Sequence, residues 1–336
     1  MNNNIPFEKP FKTHDEQISI LKSRNIIINN PSFAKQILGS LSYYTIINGY
    51  KNTFLSVQGS ENFSEGTTFE DLYTLHIIDT NLNSIILKYI LFTERYLKTR
   101  LSYLVSKKYG VYTDPYDMTN TNPSDYLFRD NYNGAGRNNI LKKIKGVLTS
   151  PNLNPSVAHY ANDKNHIPAW ILVTAIPLGL TIKWYTILKP IDKQTICEHF
   201  IESSSLSTEE KKEFILKSFN LLKEFRNNIA HGNRTFNMSN LPVLPKNALL
   251  ALTYGNISIN EYNKGHGKDD TFAIILICFI LLNDRYLLTN FLQDLKYTLM
   301  PYRNIIINDK TIFEIFRLPN NIFERLNAMI YKRFPS

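Results

Sequence analysis

Hydrophobic residues recur at three- and four-residue steps along much of the chain, the spacing that places them on one face of an α-helix. The longest such stretch begins after Thr67-Thr68-Phe69-Glu70, in which a threonine and a glutamate three positions later are typical of a capped helix start, and it continues to about Lys108. Its apolar positions are Leu72, Leu75, Ile78, Leu82, Ile85, Ile86, Tyr89, Phe92, Tyr96 and Tyr103. We therefore expect a helix, or a pair of helices, of roughly 40 residues here.

Other helix starts are marked by the same kinds of capping residue. Thr13 with Glu16 and Ser207 with Glu210 repeat the spacing, and Asn30-Pro31 offers a cap followed by the proline favoured at the first helical position. The further predicted helices are 13–25, 32–48, 139–148, 168–188 with a kink near Pro177, 190–201, 208–231 and 270–299, with one or two short helices after Asn308. No run of alternating apolar and polar residues predicts a strand, so the fold class is all-α.

Two stretches lack a clear pattern. Residues 109–139 are rich in Asp, Asn, Pro and Gly, and we expect a long, mobile surface connection there. Residues 235–267 are weakly patterned and separate two predicted helices.

The composition agrees with a helical globular fold, and the net charge indicates one class of binding partner. The chain has 336 residues, of which 43% are hydrophobic and 20% charged, values typical of a packed globular protein of one large or two modest domains. Its 38 Lys and Arg against 29 Asp and Glu give a net charge of +9, which favours a polyanion such as nucleic acid. A basic protein without a polyanionic partner has the same composition.

Cofactor and membrane signals are not found in the sequence. Cys197 and Cys278 are far apart, and neither belongs to a CxxC pair or has a nearby pair of histidines at metal-ligand spacing, so we expect neither a metal site nor another cofactor. The start, Met1 to Pro6, does not have the form of a secretory signal, and the longest apolar run, 272–282, is about half of a bilayer span. We expect a cytoplasmic protein without membrane contact.

One helix end carries residues suited to chemistry on phosphates. The helix predicted from Thr208 reaches Arg226-Asn227-Asn228-Ile229-Ala230-His231 and then Gly232, a residue that often ends helices. Asn227 and His231 are four positions apart and so face nearly the same way. An imidazole can move protons near neutral pH, a guanidinium can bind a phosphate as a fork, and an amide can orient either group. The alternative is a purely structural role, in which His231 lies at the negative end of the helix dipole in a basic helix terminus.

Several separated motifs resemble those of a known family. They are Lys9-Pro10-Phe11-Lys12-Thr13, Glu16-Gln17-Ile18, Leu21-Lys22, Leu41-Ser42-Tyr43-Tyr44, Asn48-Gly49-Tyr50, Asp71-Leu72-Tyr73, Asp79, Glu94-Arg95, Arg100, His166-Ile167-Pro168-Ala169-Trp170, Leu178-Gly179, Phe225-Arg226-Asn227 and Ala230-His231. In this order they resemble the AbiD/AbiF-like abortive-infection proteins, over roughly residues 9–240.

The resemblance implies a fold and a function. It implies a helical bundle of the HEPN superfamily, with an N-terminal helical segment at 1–66, a core at 67–240 and a C-terminal helical extension at 241–336. It also implies metal-independent RNA cleavage by Arg226, Asn227 and His231, with two copies facing one another in a homodimer. The expected partners are RNA as substrate and a restraining partner such as a small RNA, and not DNA.

Two further groups are candidates for supporting or RNA-binding roles. The resemblance places an acidic residue on the long helix, where Glu94 has Arg95 and Arg100 nearby, although a helix-surface ion pair explains the same residues. Lys142, Lys143 and Lys145 form a small basic cluster that could contact an RNA backbone, although a solvated helix face explains it equally well.

Two non-enzymatic functions are also compatible with the sequence. The chain could be a non-catalytic RNA-binding or sensor module of a defence system, or a protein-interaction subunit whose partner performs the chemistry. Arg226 and His231 are compatible with RNA binding as well as with cleavage.

Overall fold

The computed structural model describes residues 9–202, 205–236 and 238–335, and nearly all of its regular structure is helical. This confirms the all-α prediction. The start of the chain, Met1 to Pro6, on which the expectation about a secretory signal was based, lies outside the described residues.

The helices follow the chain in a simple order. They are α1 (His14–Ser23), α2 (Pro31–Tyr43), α3 (Gly49–Phe54), α4 (Phe69–Tyr109), α5 (Arg137–Leu148), α6 (Pro155–Asp163), α7 (Ala169–Ala175), α8 (Leu178–Thr186), α9 (Pro190–Phe200), α10 (Thr208–Ala230), α11 (Lys246–Leu252), α12 (Ile259–Asn263), α13 (Thr271–Leu281), α14 (Arg285–Leu299), α15 (Ile312–Ile315) and α16 (Ile322–Arg333). A π-helical turn, Tyr44–Asn48, joins α2 to α3, and 3-10 turns lie at Arg129–Asn131 and Met300–Tyr302.

A short antiparallel hairpin interrupts the helices. Its strands are β1 (Ile306–Ile307) and β2 (Lys310–Thr311), with Ile306 opposite Thr311. The two residues between the strands, Asn308 and Asp309, have φ of 48° and 59°, the left-handed conformation that tight two-residue hairpin turns require and that Asn and Asp tolerate.

Capping residues set the helix starts largely as the sequence indicates. The side chains of Thr13 and Ser207 accept the N–H groups of Glu16 and Glu210, whose carboxylates in turn accept the cap N–H groups. The long helix α4 is continuous from Phe69 to Tyr109, but its cap lies one residue later than predicted. Thr68 Oγ1 accepts the Asp71 N–H at 3.0 Å, and Asp71 Oδ2 accepts the Thr68 N–H at 2.9 Å.

Three predicted elements need correction. The helix predicted over 270–299 is broken into α13 and α14, because Asp284 caps a new helix by accepting the Leu287 N–H at 3.0 Å. The expected kink near Pro177 is a complete break between α7 and α8, since Pro177 is extended with ψ 157°. The weakly patterned stretch 235–267 contains α11 and α12, and the sequence pattern also missed α6.

The expected mobile connection over 109–139 is instead packed by buried residues. Asp125 and Tyr126 are fully buried, and the Tyr126 hydroxyl donates to the Ile167 carbonyl at 2.9 Å. The ammonium of Lys145, on α5, donates to Asp125 Oδ2 at 2.7 Å and to the Asp117 carbonyl at 2.8 Å. A buried ion pair therefore fastens this segment to α5.

The chain forms two compact units, whose boundaries differ from the three segments expected above. The first comprises Met1–Asn83 with Tyr297–Asn320, and the second Ser84–Lys296 with Asn321–Ser336. Within the first unit, the Tyr50 hydroxyl donates to buried Asp79 at 2.9 Å and lies 3.1 Å from Nδ1 of His76.

The core of the second unit surrounds α13. Each of its 11 residues is buried, so this helix is apolar on every side and must be covered all round. It is contacted by α10 and α16, and Arg333 at the end of α16 donates to the Leu282 carbonyl at 3.1 Å and also to the Phe279 carbonyl.

Candidate functional site at the end of α10

Helix α10 lies in the middle of the second unit and carries the candidate residues at its C-terminal end. Its buried residues are Phe214, Ile215, Ser218, Phe219, Leu221, Leu222 and Phe225. The helix packs against α8, α9, α11 and α13. Phe225 is the last buried side chain of α10, so the residues that follow it emerge toward solvent from a fixed base.

The helix ends in a hydrogen-bonded turn that fixes its last residues. The Gly232 N–H donates to the Ile229 carbonyl at 2.9 Å, and the Asn233 N–H donates to the Asn228 carbonyl at 3.0 Å. Gly232 has φ of 70°, which makes this the glycine-terminated helix end that the sequence predicted. The Asn228 side chain donates to the Arg234 carbonyl and ties the following segment back to the helix.

The three candidate catalytic residues share this helix end. Asn227 and His231 are exposed, and Arg226 is half-buried. Arg226 Nη1 donates to Asn227 Oδ1 at 3.3 Å, and the His231 N–H donates to the Asn227 carbonyl at 3.1 Å. The Asn227 amide oxygen accepts from Arg226, and its Nδ2 group forms no hydrogen bond among the described residues. A phosphate at this surface would meet a guanidinium, an amide donor and an imidazole within about 1.4 helical turns.

Glu94 occupies a different setting from the one its sequence neighbours indicate. Its side chain is 6% exposed and pairs with Lys98 at 2.8 Å, not with Arg95 or Arg100. Its Oε2 atom is buried and has no hydrogen-bond partner among the described residues. Arg95 and Arg100 are both exposed, and the Arg95 guanidinium lies 5.8 Å from the centre of the Phe92 ring.

The three lysines of α5 differ in their exposure to solvent. Lys142 and Lys143 are exposed and remain candidates for contact with an RNA backbone. Lys145 has no exposed surface and is paired with Asp125, so it is not available to a ligand. Lys145 is buried because helical periodicity places it on the buried face of α5, with Leu141, Ile144 and Leu148.

A pocket that the sequence pattern did not indicate lies between α4 and α9. It has a volume of about 390 Å³ and is lined by Arg100, Tyr103, Leu104, Lys107, Lys108, Ile191, Asp192, Thr195, Ile196 and His199. The spacing of Arg100, Tyr103 and Lys107 on one helix face was a usable signal, but the facing helix could not be identified from the sequence.

The described residues contain neither a candidate metal centre nor a candidate membrane-spanning helix. No three His, Cys, Asp or Glu side chains in this part of the chain are grouped as metal ligands. None of the helices described combines the length and apolar character needed to cross a membrane.

Comparison with known proteins gives one match. The model of a family described as Abi-like protein matches residues 36–237, more than half of the chain, and this span includes every candidate residue from Glu94 to His231. No curated protein and no solved structure matches the chain.

Proposed function

The chain belongs to the Abi-like protein family, whose members are linked to abortive-infection defence, and from this premise we propose that it is a metal-independent endoribonuclease of antiphage defence acting in the cytoplasm. The observation that carries the proposal is the exposed end of α10, where Arg226, Asn227 and His231 lie within about 1.4 helical turns on a rigid base. All three groups are accessible to a ligand as large as RNA.

The chemistry of these groups matches transesterification of RNA. A base removes the proton of a ribose 2′-hydroxyl, whose oxygen then forms a bond to the adjacent phosphorus while the bond from phosphorus to the 5′-oxygen breaks. An acid supplies a proton to the departing 5′-oxygen, which leaves a cyclic phosphate and a 5′-hydroxyl. His231 moves protons, Arg226 binds the phosphate whose charge grows in the transition state, and the Asn227 amide orients that phosphate.

The geometry of the attack favours a second copy of the chain. The attacking and departing oxygens lie on opposite sides of the phosphorus, and one imidazole at a convex helix end faces only one side. A homodimer that brings two α10 ends together supplies a base and an acid across one cleft, and closed two-fold dimers are the commonest assembly.

Such a nuclease needs restraint until infection. We include in the proposal a partner that covers the α10 end, such as a small RNA, because a net charge of +9 favours a polyanion. Exposed Lys142 and Lys143 on α5, and Arg95 and Arg100 on α4, are the proposed supporting contacts for RNA, and buried Glu94 supports α4 through Lys98.

The test is cleavage of RNA by the purified protein and by His231→Ala. The wild type is expected to cleave in the presence of a chelator and to leave cyclic phosphate ends. His231→Ala is expected to lose about 10²- to 10⁴-fold in rate while remaining folded, since the side chain is exposed. Arg226→Ala is expected to lose activity similarly.

The matched control is His159→Ala, which removes an exposed imidazole that pairs with Asp163 on α6. It is expected to cleave as fast as the wild type. A folded His231→Ala protein that cleaves at the wild-type rate would show that the site is wrong, and a monomer in light scattering, with and without RNA, would refute the shared cleft.

One observation favours a second function, a non-catalytic RNA-binding or sensor module. Among the described residues, no side chain hydrogen-bonds to the His231 ring, whereas catalytic histidines are usually oriented by a partner. This alternative expects no cleavage by the wild type and a change of RNA affinity alone in His231→Ala.

A further inference from the structure

The pocket between α4 and α9 combines an apolar floor with a basic rim. Leu104 and Ile196 lie at its base, while Tyr103 is 60% exposed and Ile191 is 59% exposed at its mouth. Its volume of about 390 Å³ falls within the range of about 300–1,000 Å³ that is typical of sites for small organic groups. A large exposed aromatic ring beside such a pocket offers a flat surface for another ring system.

One end of this pocket is closed by a buried carboxylate. Asp192 pairs with Lys108 at 2.6 Å and accepts the Tyr109 hydroxyl at 3.0 Å, so its charge is neutralised within the protein. Arg100 and His199 also line the pocket, and each lies about two helical turns from this ion pair, Arg100 from Lys108 along α4 and His199 from Asp192 along α9.

The remaining charges on the rim are positive. Arg100 and Lys107 are exposed, and neither forms an ion pair among the described residues. Seven residues separate them on α4, about 10.5 Å along the helix axis, with Tyr103 between them. This arrangement is complementary to a flat ring flanked by negative charges.

We propose that this pocket binds one nucleotide of single-stranded RNA, with its base stacked on Tyr103 and the phosphates on either side held by Arg100 and Lys107. Aromatic side chains accept the face of any base, and neighbouring cations follow the backbone without reading sequence. The base enters the apolar pocket only when it is unpaired, so the pocket selects single strands over duplexes. The proposal rests on the proposed function in taking RNA as the ligand.

The experiment measures binding separately from cleavage. In the full chain carrying His231→Ala, affinity for a fluorescent oligouridine is measured by anisotropy, with duplex RNA as the second probe. Adding Tyr103→Ala is expected to weaken oligouridine binding roughly 5- to 100-fold and leave duplex binding unchanged, because one stacked base is lost. Tyr103→Phe keeps the ring and is expected to retain the affinity.

A matched pair of controls addresses exposure and charge. Tyr286→Ala on α14 removes a ring that is 74% exposed, and it is expected to leave oligouridine affinity unchanged. Lys107→Ala is expected to lower the slope of log affinity against log salt by about 0.7, the value for one single-strand phosphate contact. Lys217→Ala, which removes an exposed lysine on α10, is expected to leave that slope unchanged.

The other outcomes either overturn this proposal or separate it from the proposed nuclease. Equal affinities for Tyr103→Ala and Tyr286→Ala do so, and so does an equal loss for single strand and duplex. If Tyr103→Ala disrupts the dimer and leaves RNA affinity intact, the pocket is a protein contact. A wild type that binds RNA through Tyr103 without cleaving it refutes the proposed nuclease and leaves this inference standing, whereas active cleavage with no role for Tyr103 does the reverse.

Discussion

Replacing Lys145 by methionine tests whether the packed segment 110–136 depends on a buried charge. Lys145 and Asp125 have no exposed side-chain surface, and their charged atoms lie 2.7 Å apart. Asp125 also accepts the N–H groups of Asp114 at 3.1 Å and Leu127 at 2.7 Å, so the carboxylate organises the turns of the segment. Methionine retains most of the side-chain volume and removes only the ammonium.

The expected loss is large because Asp125 would keep its burial and lose its cation. Removing one partner of a buried pair costs about 3–5 kcal/mol of unfolding free energy. At about 2–4 °C per kcal/mol for domains of about 150–250 residues, the midpoint of thermal unfolding should fall by roughly 6–20 °C. The free energy is measured by urea unfolding and the midpoint by calorimetry.

A neighbouring lysine provides the control. Lys142→Met, on the exposed face of the same helix, is expected to change the unfolding free energy by at most about 0.5 kcal/mol. Adding Asp125→Asn to Lys145→Met removes both charges and should cost less than the sum of the two single variants. If Lys145→Met is as mild as Lys142→Met, or if the two losses simply add, the ion pair does not hold the segment.

Two further predictions concern titratable groups. The hydrogen bond from Arg325 lowers the pKa of Glu261 to about 2, so the carboxylate stabilises the folded state above its unfolded pKa. The free energy of unfolding, measured in urea, should therefore exceed that of Glu261→Gln by a constant amount above about pH 4.5, and this excess should shrink toward pH 2. An excess that grows on acidification would contradict the lowered pKa. Burial raises the pKa of Cys197 to about 11 and that of Cys278 to about 12. Both thiols should therefore resist alkylation at pH 8 in the folded protein and react in urea, as followed by mass spectrometry. Rapid labelling of the folded chain would contradict their burial.

Local signals predicted the parts of the fold that local interactions determine. The capping boxes at Thr13 and Ser207 depend on residues within a few positions of each other, and the structure confirms them. At Pro177 the sequence predicted only a kink, and the structure has a complete break between two helices. The cap of α4 illustrates the limit of such signals, because Thr67 and Thr68 offer the same chemistry and only the tertiary setting selects Thr68.

In the candidate site, too, the sequence predicts the features that depend on nearby residues and not those that depend on distant ones. The exposed end of α10 follows from Phe225, Gly232 and their helical spacing. Burial of Lys145 could not be predicted, because the carboxylate that stabilises it comes from a segment with no periodic pattern. The pocket beside Tyr103 needs a second helix, whose position is set by packing rather than by any nearby residue.

The burial of α13 also has a consequence during synthesis on the ribosome. This helix is apolar all round, and one of the helices that contact it, α16, is translated after it. Until α16 emerges, one side of α13 is exposed to solvent and able to associate with other chains. Translation arrest between residues 282 and 321 would therefore release an aggregation-prone product in which α10 and the candidate residues at its end are already complete.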